Sequence, residues 1–317
     1  MPKKYENTVA QIQKVKEKLV LPAIAAPMFL ISGPQLVISA CKAGVIGCFP
    51  TMNARSPAML DEWFQTITGE LDNSPETDIA PWAANIIVHS TSKRFESDFN
   101  LILEYKPMFV ITALGSPKRV CQRVHDYGGI VFADVSSVEF AKKAIAAGAD
   151  GLVLVSAGAG GHTGTISGFS LVPAIRSFFS GPIILGGGIT DGAGIRAAEC
   201  LGADLAYLGT RFIATHESLA NDDYKRLLIE SSEDEIILSN HFTGINANYL
   251  KRSIERVGLD PKNLSDSKNI DLRGSSESRA WVDIWSAGHG VRAITKTQGV
   301  ADLVSELCSQ YRIAANR

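Results

Sequence analysis

Residues 183–189 read IILGGGI and residues 205–212 read LAYLGTRF, and both stretches run from apolar residues into glycine. The segment Gly192–Leu201 between them has the apolar spacing of a helix. A strand, a helix and a second strand in this order predict one unit of a parallel sheet, because parallel strands need a crossover connection.

The same alternation of apolar runs and helical segments extends back to the start of the chain. Its apolarity is continuous, which is typical of parallel strands covered on both faces. The predicted strands are Ala23–Phe29, Val45–Thr51, Trp82–Val88, Met108–Leu114, Ile130–Val135, Gly151–Ser156, Ile183–Gly186 and Leu205–Phe212. The clearest helices are Pro34–Ala43, Pro57–Thr66, Phe95–Glu104, Pro117–Asp126, Ser137–Ala147, Ser170–Phe179 and Gly192–Leu201. Eight such units predict an α/β fold, the closed (β/α)8 TIM barrel.

Three regions follow from this pattern. The barrel with an amphipathic N-terminal helix takes residues 1–213, and a more polar lobe takes 214–284. The chain then returns to the barrel over 285–317, with a closing helix at Val300–Cys308. We expect the inserted lobe to be a helical lid near the barrel mouth, where the active sites of such barrels form. Gly148 and Gly202, each before Ala-Asp, are expected to end helices with positive φ.

The composition narrows the choice of partner to a small molecule. A formal charge of -2 provides no field for nucleic acid or an anionic membrane. No run approaches the roughly 18 to 20 apolar residues of a transmembrane helix, and the N-terminus lacks the apolar core of a signal peptide. The cysteines have no C-x-x-C spacing, which favours reduced thiols in the cytoplasm. The histidines lack the spacing of a metal site, so no metal is expected.

Two glycine clusters lie at the ends of the last two predicted strands. Gly187 and Gly188 follow the seventh strand, and Gly209 with Thr210 ends the eighth. Without a Cβ, such backbone lets its N–H groups approach a phosphate, as in many barrels after strands seven and eight. The alternative is that these glycines only form tight turns.

A small-residue loop with a histidine follows the sixth strand and reads SAGAGGHTG over 156–164. Gly160 and Gly161 let the backbone pass flat against a planar ring, and His162 projects into the mouth, where it can act as base, acid or hydrogen-bond donor. The alternative is a loop histidine hydrogen-bonded to backbone or solvent. His289 is the only other histidine expected near the mouth.

The ends of strands one and three supply further candidates. Ala26, Pro27 and Met28 could face a flavin ring, with Met28 offering a backbone N–H and a soft side chain. Asn85 could bond a ring heteroatom or a ribityl hydroxyl. Taken singly, a Pro-Met pair more often packs and a strand-end asparagine more often caps.

Together these motifs resemble the nitronate monooxygenase family, formerly called 2-nitropropane dioxygenases, which are FMN-dependent barrels. The resemblance covers nearly the whole chain. It rests on Ala26-Pro27-Met28, Asn85, Ala159-Gly160-Gly161-His162, Gly187-Gly188-Ile189, Asp191-Gly192, Gly202-Ala203-Asp204, Gly209-Thr210-Arg211-Phe212, Thr243-Gly244 and Trp285-Ser286-Ala287-Gly288.

The resemblance implies FMN as cofactor and a role for each matching residue. Gly187, Gly188, Gly209 and Thr210 would hold the phosphate. The ring would meet Asn85 and the backbone of Pro27 and Met28, with Gly160 and Gly161 at its flank. His162 matches the family's catalytic histidine, which would deprotonate a nitroalkane or orient the nitro oxygens of a nitronate. The family reaction oxidises alkyl nitronates with O2 to a carbonyl compound and nitrite.

Three positions depart from the family. One subgroup has Gln at the place of Val155 and Glu at the place of Gly158, and some members carry a Lys near Ala133. These changes remove polar or cationic partners of the ring, and Asp134 has the opposite charge to the missing Lys.

Two other functions fit the same pattern. The first is NAD(P)H-dependent reduction of quinones or enoyl thioesters by the same flavin, and the second is a non-catalytic flavin- or phosphate-binding barrel. The N-terminal extension leaves room for a homodimer.

Overall fold

The computed structural model describes residues 5–76, 78–267 and 281–316 of the protein. Its strands are β1 (Ala23–Ala25), β2 (Ile46–Pro50), β3 (Trp82–Ile87), β4 (Phe109–Ala113), β5 (Ile130–Val135), β6 (Gly151–Val155), β7 (Gly161–His162), β8 (Ile183–Gly186), β9 (Leu205–Leu208), β10 (Ile236–Ser239) and β11 (Ala247–Leu250). Its α-helices are α1 (Glu6–Lys16), α2 (Pro34–Lys42), α3 (Pro57–Asp72), α4 (Phe95–Tyr105), α5 (Lys118–His125), α6 (Val138–Ala146), α7 (Gly168–Arg176), α8 (Gly192–Leu201), α9 (Thr210–Ile213), α10 (Asp222–Ile229), α11 (Lys251–Arg256) and α12 (Val300–Ala315).

Eight parallel strands close into a barrel, which confirms the predicted (β/α)8 fold. The barrel order is β1, β2, β3, β4, β5, β6, β8 and β9, and β9 pairs with β1 to complete the ring. Each predicted strand contains one observed barrel strand. The continuous apolar runs arise because the inner faces fill the barrel and the outer faces pack under helices.

The barrel is solid below its mouth. Large side chains from alternate strand positions fill the interior, among them Ile46, Phe109, Phe132, Val153 and Ile184, all buried. Phe109 and Phe132 meet edge to face, with ring centroids 5.9 Å apart. A ligand therefore has access to the barrel interior only from the mouth, at the C-terminal ends of the strands.

The eighth predicted strand, Leu205–Phe212, is too long. β9 ends at Leu208, and α9 occupies Thr210–Ile213. Phe212 and Ile213 are both buried, so the run stays apolar across the change from strand to helix. Hydropathy alone does not mark such a boundary.

Glycines stand at two helix ends and at the contact between α8 and α12. Gly148 and Gly202 have φ of +103° and +106°, which confirms the predicted left-handed conformations. Gly192 begins α8 against α12, and a Cβ there would lie 2.0 Å from the backbone nitrogen of Tyr311. The closing helix α12 runs beyond the predicted Cys308 to Ala315.

The lobe after β9 is mixed rather than wholly helical. It contains α10 and α11, but also β10 and β11, which pair antiparallel. β11 also pairs with β7, so the lobe is joined to the loop that follows β6. Part of the predicted lobe, residues 268–280, lies outside the described residues.

The remaining predictions concern the N-terminus and the thiols. α1 confirms the amphipathic N-terminal helix. All five cysteines are free, and all but Cys200 are buried. Within the described ranges, no helix is both long enough and apolar enough to cross a membrane.

Candidate active site

The glycine pair after β8 borders open space at the mouth. Gly187 and Gly188 have left-handed φ values of +127° and +69°. A Cβ on Gly187 would lie 2.3 Å from Ser156 Oγ, so no side chain fits there. Beside Gly188, no atom of the described residues lies within 4 Å of the Cβ position. The backbone of this pair is therefore accessible to a ligand.

Residues predicted from distant parts of the chain meet the end of β9. A Cβ on Gly209 would lie 3.5 Å from Met28 Sδ, which brings the loop after β1 to this point. Thr210 Oγ1 accepts a hydrogen bond from the backbone N–H of Gly288 at 2.9 Å. The two strand ends and the turn at 285–288 thus form one side of the mouth.

The small-residue loop after β6 packs backbone against backbone on that turn. A Cβ on Gly160 would lie 2.7 Å from the nitrogen of Gly288, and a Cβ on Gly288 would lie 2.6 Å from the oxygen of Gly158. The N–H of His289 donates to the Gly158 oxygen at 3.0 Å. Small residues are therefore required on both sides of this contact.

His289 lies at the mouth, as expected. Gly158 has a φ of +91°, and a Cβ there would lie 3.3 Å from His289 Nδ1 and 3.5 Å from the nitrogen of Gly188. The exposed imidazole is thus close to the glycine pair after β8. Arg211, in contrast, is buried and points away to Glu306 of α12 at 3.0 Å and to the Ala293 oxygen at 2.7 Å.

His162 lies on β7, held by the lobe. The backbone of His162 pairs with Ala247 of β11, and the side-chain nitrogen Nε2 of His162 lies 3.2 Å from Thr243 Oγ1. The edge of the ring meets Trp281, with centroids 5.3 Å apart and planes at 84°. The side chain is half-buried in this setting, and removal of water lowers the pKa of His162 to about 4. The imidazole is consequently neutral at pH 7.

Thr243 ties the ring of His162 to the segment that precedes β11. Thr243 Oγ1 lies 3.2 Å from His162 Nε2, and the same oxygen lies 3.1 Å from the backbone oxygen of Ile245. A neutral imidazole has one N–H donor and one acceptor nitrogen, so the ring can bond to Thr243 and to one further group.

Two residues that the sequence analysis missed hold the loops in place. Asn248 of β11 donates through Nδ2 to the Ala159 oxygen at 2.7 Å. The Tyr224 hydroxyl of α10 accepts from the N–H of Ser286 at 3.0 Å, and its ring stacks on Trp285. Neither residue stands beside a motif in the sequence, so only their contacts across the lobe identify them.

The loop after β1 is fixed by a third missed residue, Asn53. Its Nδ2 donates to the oxygens of Met28 at 2.9 Å and Ser32 at 2.7 Å, and its Oδ1 accepts from the N–H of Leu30 at 2.9 Å. The N–H of Met28 donates to Ser32 Oγ at 2.9 Å. The Met28 N–H is therefore paired within its own loop, and the Met28 side chain lies beside Gly209.

Of the other expected residues, Ala26 and Pro27 follow the end of β1, whereas Asn85, expected at the end of the third strand, lies inside β3. Ala26 directly follows β1, and its N–H donates to the Leu208 oxygen of β9 at 2.9 Å. Pro27 stands between Ala26 and Met28. Asn85 is buried on β3 and donates through Nδ2 to the Ile111 oxygen at 3.2 Å, which uses one of its two amide hydrogens within the barrel.

Known proteins similar to this chain act in different ways. The chain is 27% identical over 236 residues to a (3aS,4S,5R,7aS)-5-hydroxy-7a-methyl-1-oxo-octahydro-1H-indene-4-carboxyl-CoA dehydrogenase of Mycobacterium tuberculosis. That match covers 74% of this chain and 64% of the relative, so the chain spans less than two thirds of the relative's length. A nitronate monooxygenase of Paraburkholderia phytofirmans is 26% identical, with 88% of this chain and 83% of the relative covered.

A solved structure confirms the architecture. FabK from Thermotoga maritima superposes with a TM-score of 0.78 at 22% identity, covering 96% of this chain and 97% of that one. At this identity the likeness concerns the fold alone. The model of the family described as nitronate monooxygenase matches residues 11–310. This match includes every barrel strand, both glycine clusters and His162, so the chain belongs to the nitronate monooxygenase family of oxidoreductases.

Proposed function

We propose that the protein binds FMN and oxidises alkyl nitronates with O2 to a carbonyl compound and nitrite. The observation that carries this proposal is the position of His162, a neutral imidazole on a short strand directly after the small-residue loop of the mouth. A substrate that rests on a planar ring beside this loop comes within reach of the histidine.

The residues at the mouth fit a flavin phosphate and ring. Gly187 and Gly188 expose backbone to open space, and Gly209 with Thr210 lies at the end of the adjacent strand. Gly160 and Gly161 provide a surface without side chains for the ring. When bound, FMN supplies the ring that accepts electrons and passes them to O2.

The low pKa of His162 favours one of its two expected roles. A general base works best when its pKa lies near the working pH, and about 4 is far below neutrality. A neutral imidazole instead suits hydrogen bonding to a substrate that arrives already ionised. We therefore propose that His162 orients the nitro group of a nitronate and does not deprotonate a nitroalkane.

A second candidate is a reaction with NAD(P)H or with a thioester substrate. The dehydrogenase from Mycobacterium tuberculosis, whose name specifies a CoA thioester, supports this alternative. A non-catalytic flavin-binding barrel accounts less well for a histidine held by a dedicated strand pair.

Steady-state assays separate these candidates. Purified holoprotein is given propyl-2-nitronate in air, and O2 consumption and nitrite release are followed together. In parallel it is given NADPH with a quinone or an enoyl thioester. Nitrite formation in proportion to nitronate, without NADPH consumption, is the expected result, and the reverse pattern would support the reductase.

The cellular setting belongs to the same proposal. We infer a cytoplasmic location, supported by the free thiols of all five cysteines. We also propose a homodimer formed through the N-terminal extension. Light scattering of the holoprotein measures the mass of the particle and so tests this proposal.

A further inference from the structure

Three polar side chains meet at the floor of the mouth, inside the barrel. Phe132 on β5 faces the interior, so Asp134, two residues further along the strand, faces the same way. Tyr207 of β9 packs against the interior residues, and Cys48 of β2 is among them. The charge of Asp134 acts on both Cys48 and Tyr207, which places the three groups close together.

Two polar atoms in this group have no hydrogen-bond partner among the described residues. They are Asp134 Oδ1 and the Tyr207 hydroxyl, and both are fully buried as atoms. An unpaired buried polar group loses its hydrogen bonds to water without replacing them, so native structures rarely retain one without a reason. A pair of them at the floor of a ligand-binding mouth is best explained by a ligand that completes their bonds.

The group lies at the mouth end of the barrel. Asp134 and Tyr207 each stand one residue before the C-terminal end of their strand, and both residues are half-buried, whereas Phe132, Val153 and Ile184 below them are buried. Tyr207 pairs with Gly186, the last residue of β8. A Cβ on Gly186 would lie 3.2 Å from the Tyr207 ring.

The three polar side chains at the floor are largely protonated at neutral pH. The groups that face Asp134 are Cys48 and Tyr207, and burial raises the pKa of both well above their usual ranges, so both keep their protons. No cation is among the causes that shift Asp134, and burial raises the pKa of this carboxyl to about 7. Much of it is therefore protonated at neutral pH and able to donate a hydrogen bond.

We propose that Asp134 and Tyr207 form a pair of neutral hydrogen-bond donors that contacts the acceptor atoms of the bound flavin ring. This inference rests on the proposed binding of FMN, but not on the identity of the substrate. Because the carboxyl stands against the ring, its ionisation changes the electrostatic potential at the flavin. The pair would thus couple the properties of the cofactor to pH.

The test follows the flavin spectrum and its reduction potential between pH 5.5 and 9.5 in holoprotein. In the wild type, the absorbance maximum and the slope of potential against pH are expected to change as Asp134 ionises. In Asp134→Asn, which keeps a donor but cannot ionise, this change should be lost. Asp126→Asn, a substitution of the exposed residue that follows α5, is the matched control and should behave as the wild type.

A second variant guards against misfolding at the first site. Tyr207→Phe removes only the hydroxyl, and it should weaken FMN binding several-fold in fluorescence titration while the pH-dependent spectral change persists. Identical spectra and potentials in wild type and Asp134→Asn across the pH range would overturn the donor pair. A wild type that binds no flavin would overturn both the donor pair and the proposed function. A yellow protein that does not react with nitronate would overturn only the proposed reaction, and the same spectral comparison would still decide on the donor pair.

Discussion

His162 is an uncharged side chain at neutral pH. Its backbone is fixed by β11 and its ring by Thr243 and Trp281, so the imidazole is positioned before any substrate arrives. Preorganised hydrogen-bonding groups of this kind stabilise developing charge without a cost of reorganisation.

Replacing this histidine should separate catalysis from cofactor binding. We expect His162→Ala to retain FMN, because no predicted phosphate contact is lost, while kcat falls by about 10²–10³-fold, the usual loss for one such hydrogen-bonding group. Nitrite release and the visible spectrum measure the two effects. His216→Ala, which removes an exposed histidine of the lobe, is the control. An unchanged rate would remove His162 from the mechanism.

The pH profile of the reaction provides a second residue-scale prediction. Because burial holds the pKa of His162 near about 4, the ring loses no proton between pH 5.5 and 8. With preformed nitronate as substrate, kcat should therefore show no limb that depends on His162 in this range. A limb near pH 6.5 that disappears in His162→Gln would contradict the neutral role.

In the proposed mechanism Thr243 is a positioning residue, because it would act on the substrate only through His162. Thr243→Val removes the hydrogen-bond partner of His162 Nε2, and the loss of one hydrogen bond should lower kcat by up to about tenfold. FMN affinity should stay unchanged, and Thr243→Ser should restore the rate. Equal losses in the valine and serine variants would instead point to packing of the methyl group.

At the scale of elements, the loops at the strand ends form the mouth from their backbone, and side chains of the lobe hold these loops in position. The loops after β6 and β8 and the turn at 285–288 meet through glycines that exclude a Cβ, namely Gly160, Gly187 and Gly288. Asn248 and Tyr224 hold the loops from the lobe side. The flavin site is thus expected to depend on close backbone contacts more than on charged side chains.

A single carboxylate at the glycine pair should test this dependence. Gly188→Asp places a negative charge beside the expected phosphate, and like charges in contact cost several kcal/mol, so FMN affinity should fall by at least about 100-fold. Gly128→Asp is a matched control, because Gly128 also has positive φ, +86°, and open space at its Cβ position. Fluorescence titration with FMN gives both affinities. Equal affinities would show that the phosphate lies elsewhere.

At the scale of the whole molecule, the buried carboxyl of Asp134 should make stability depend on pH. Its folded pKa of about 7 lies above its value in an unfolded chain, so the folded state alone retains the proton between roughly pH 4 and 7. Stability is then lost as the pH rises through this window. At pH 4.5 the melting temperature of Asp134→Asn apoprotein should equal that of the wild-type apoprotein or exceed it slightly. At pH 8 the melting temperature of the variant should be clearly higher than that of the wild type. Parallel melting curves for the two proteins across the window would contradict the buried carboxyl.

The barrel and most of its mouth could be predicted because each depends on local pattern. The strands show as apolar runs, and glycines such as Gly187 and Gly209 stand at the strand ends. The supports of the mouth could not be predicted, because Asn53, Asn248 and Tyr224 act through contacts between segments distant in the chain. The pairing of β7 with β11 could not be predicted either, because a strand of two residues shows no periodicity in the sequence.

In the proposed reaction a nitronate passes its electrons directly to the flavin at this mouth. Anaerobic mixing of the holoprotein with propyl-2-nitronate, followed by visible absorbance, tests this electron transfer. The proposal predicts rapid bleaching of the oxidised flavin band by nitronate and no bleaching by NADPH. Full bleaching by NADPH with no response to nitronate would contradict it and identify the protein as a reductase built on the same barrel.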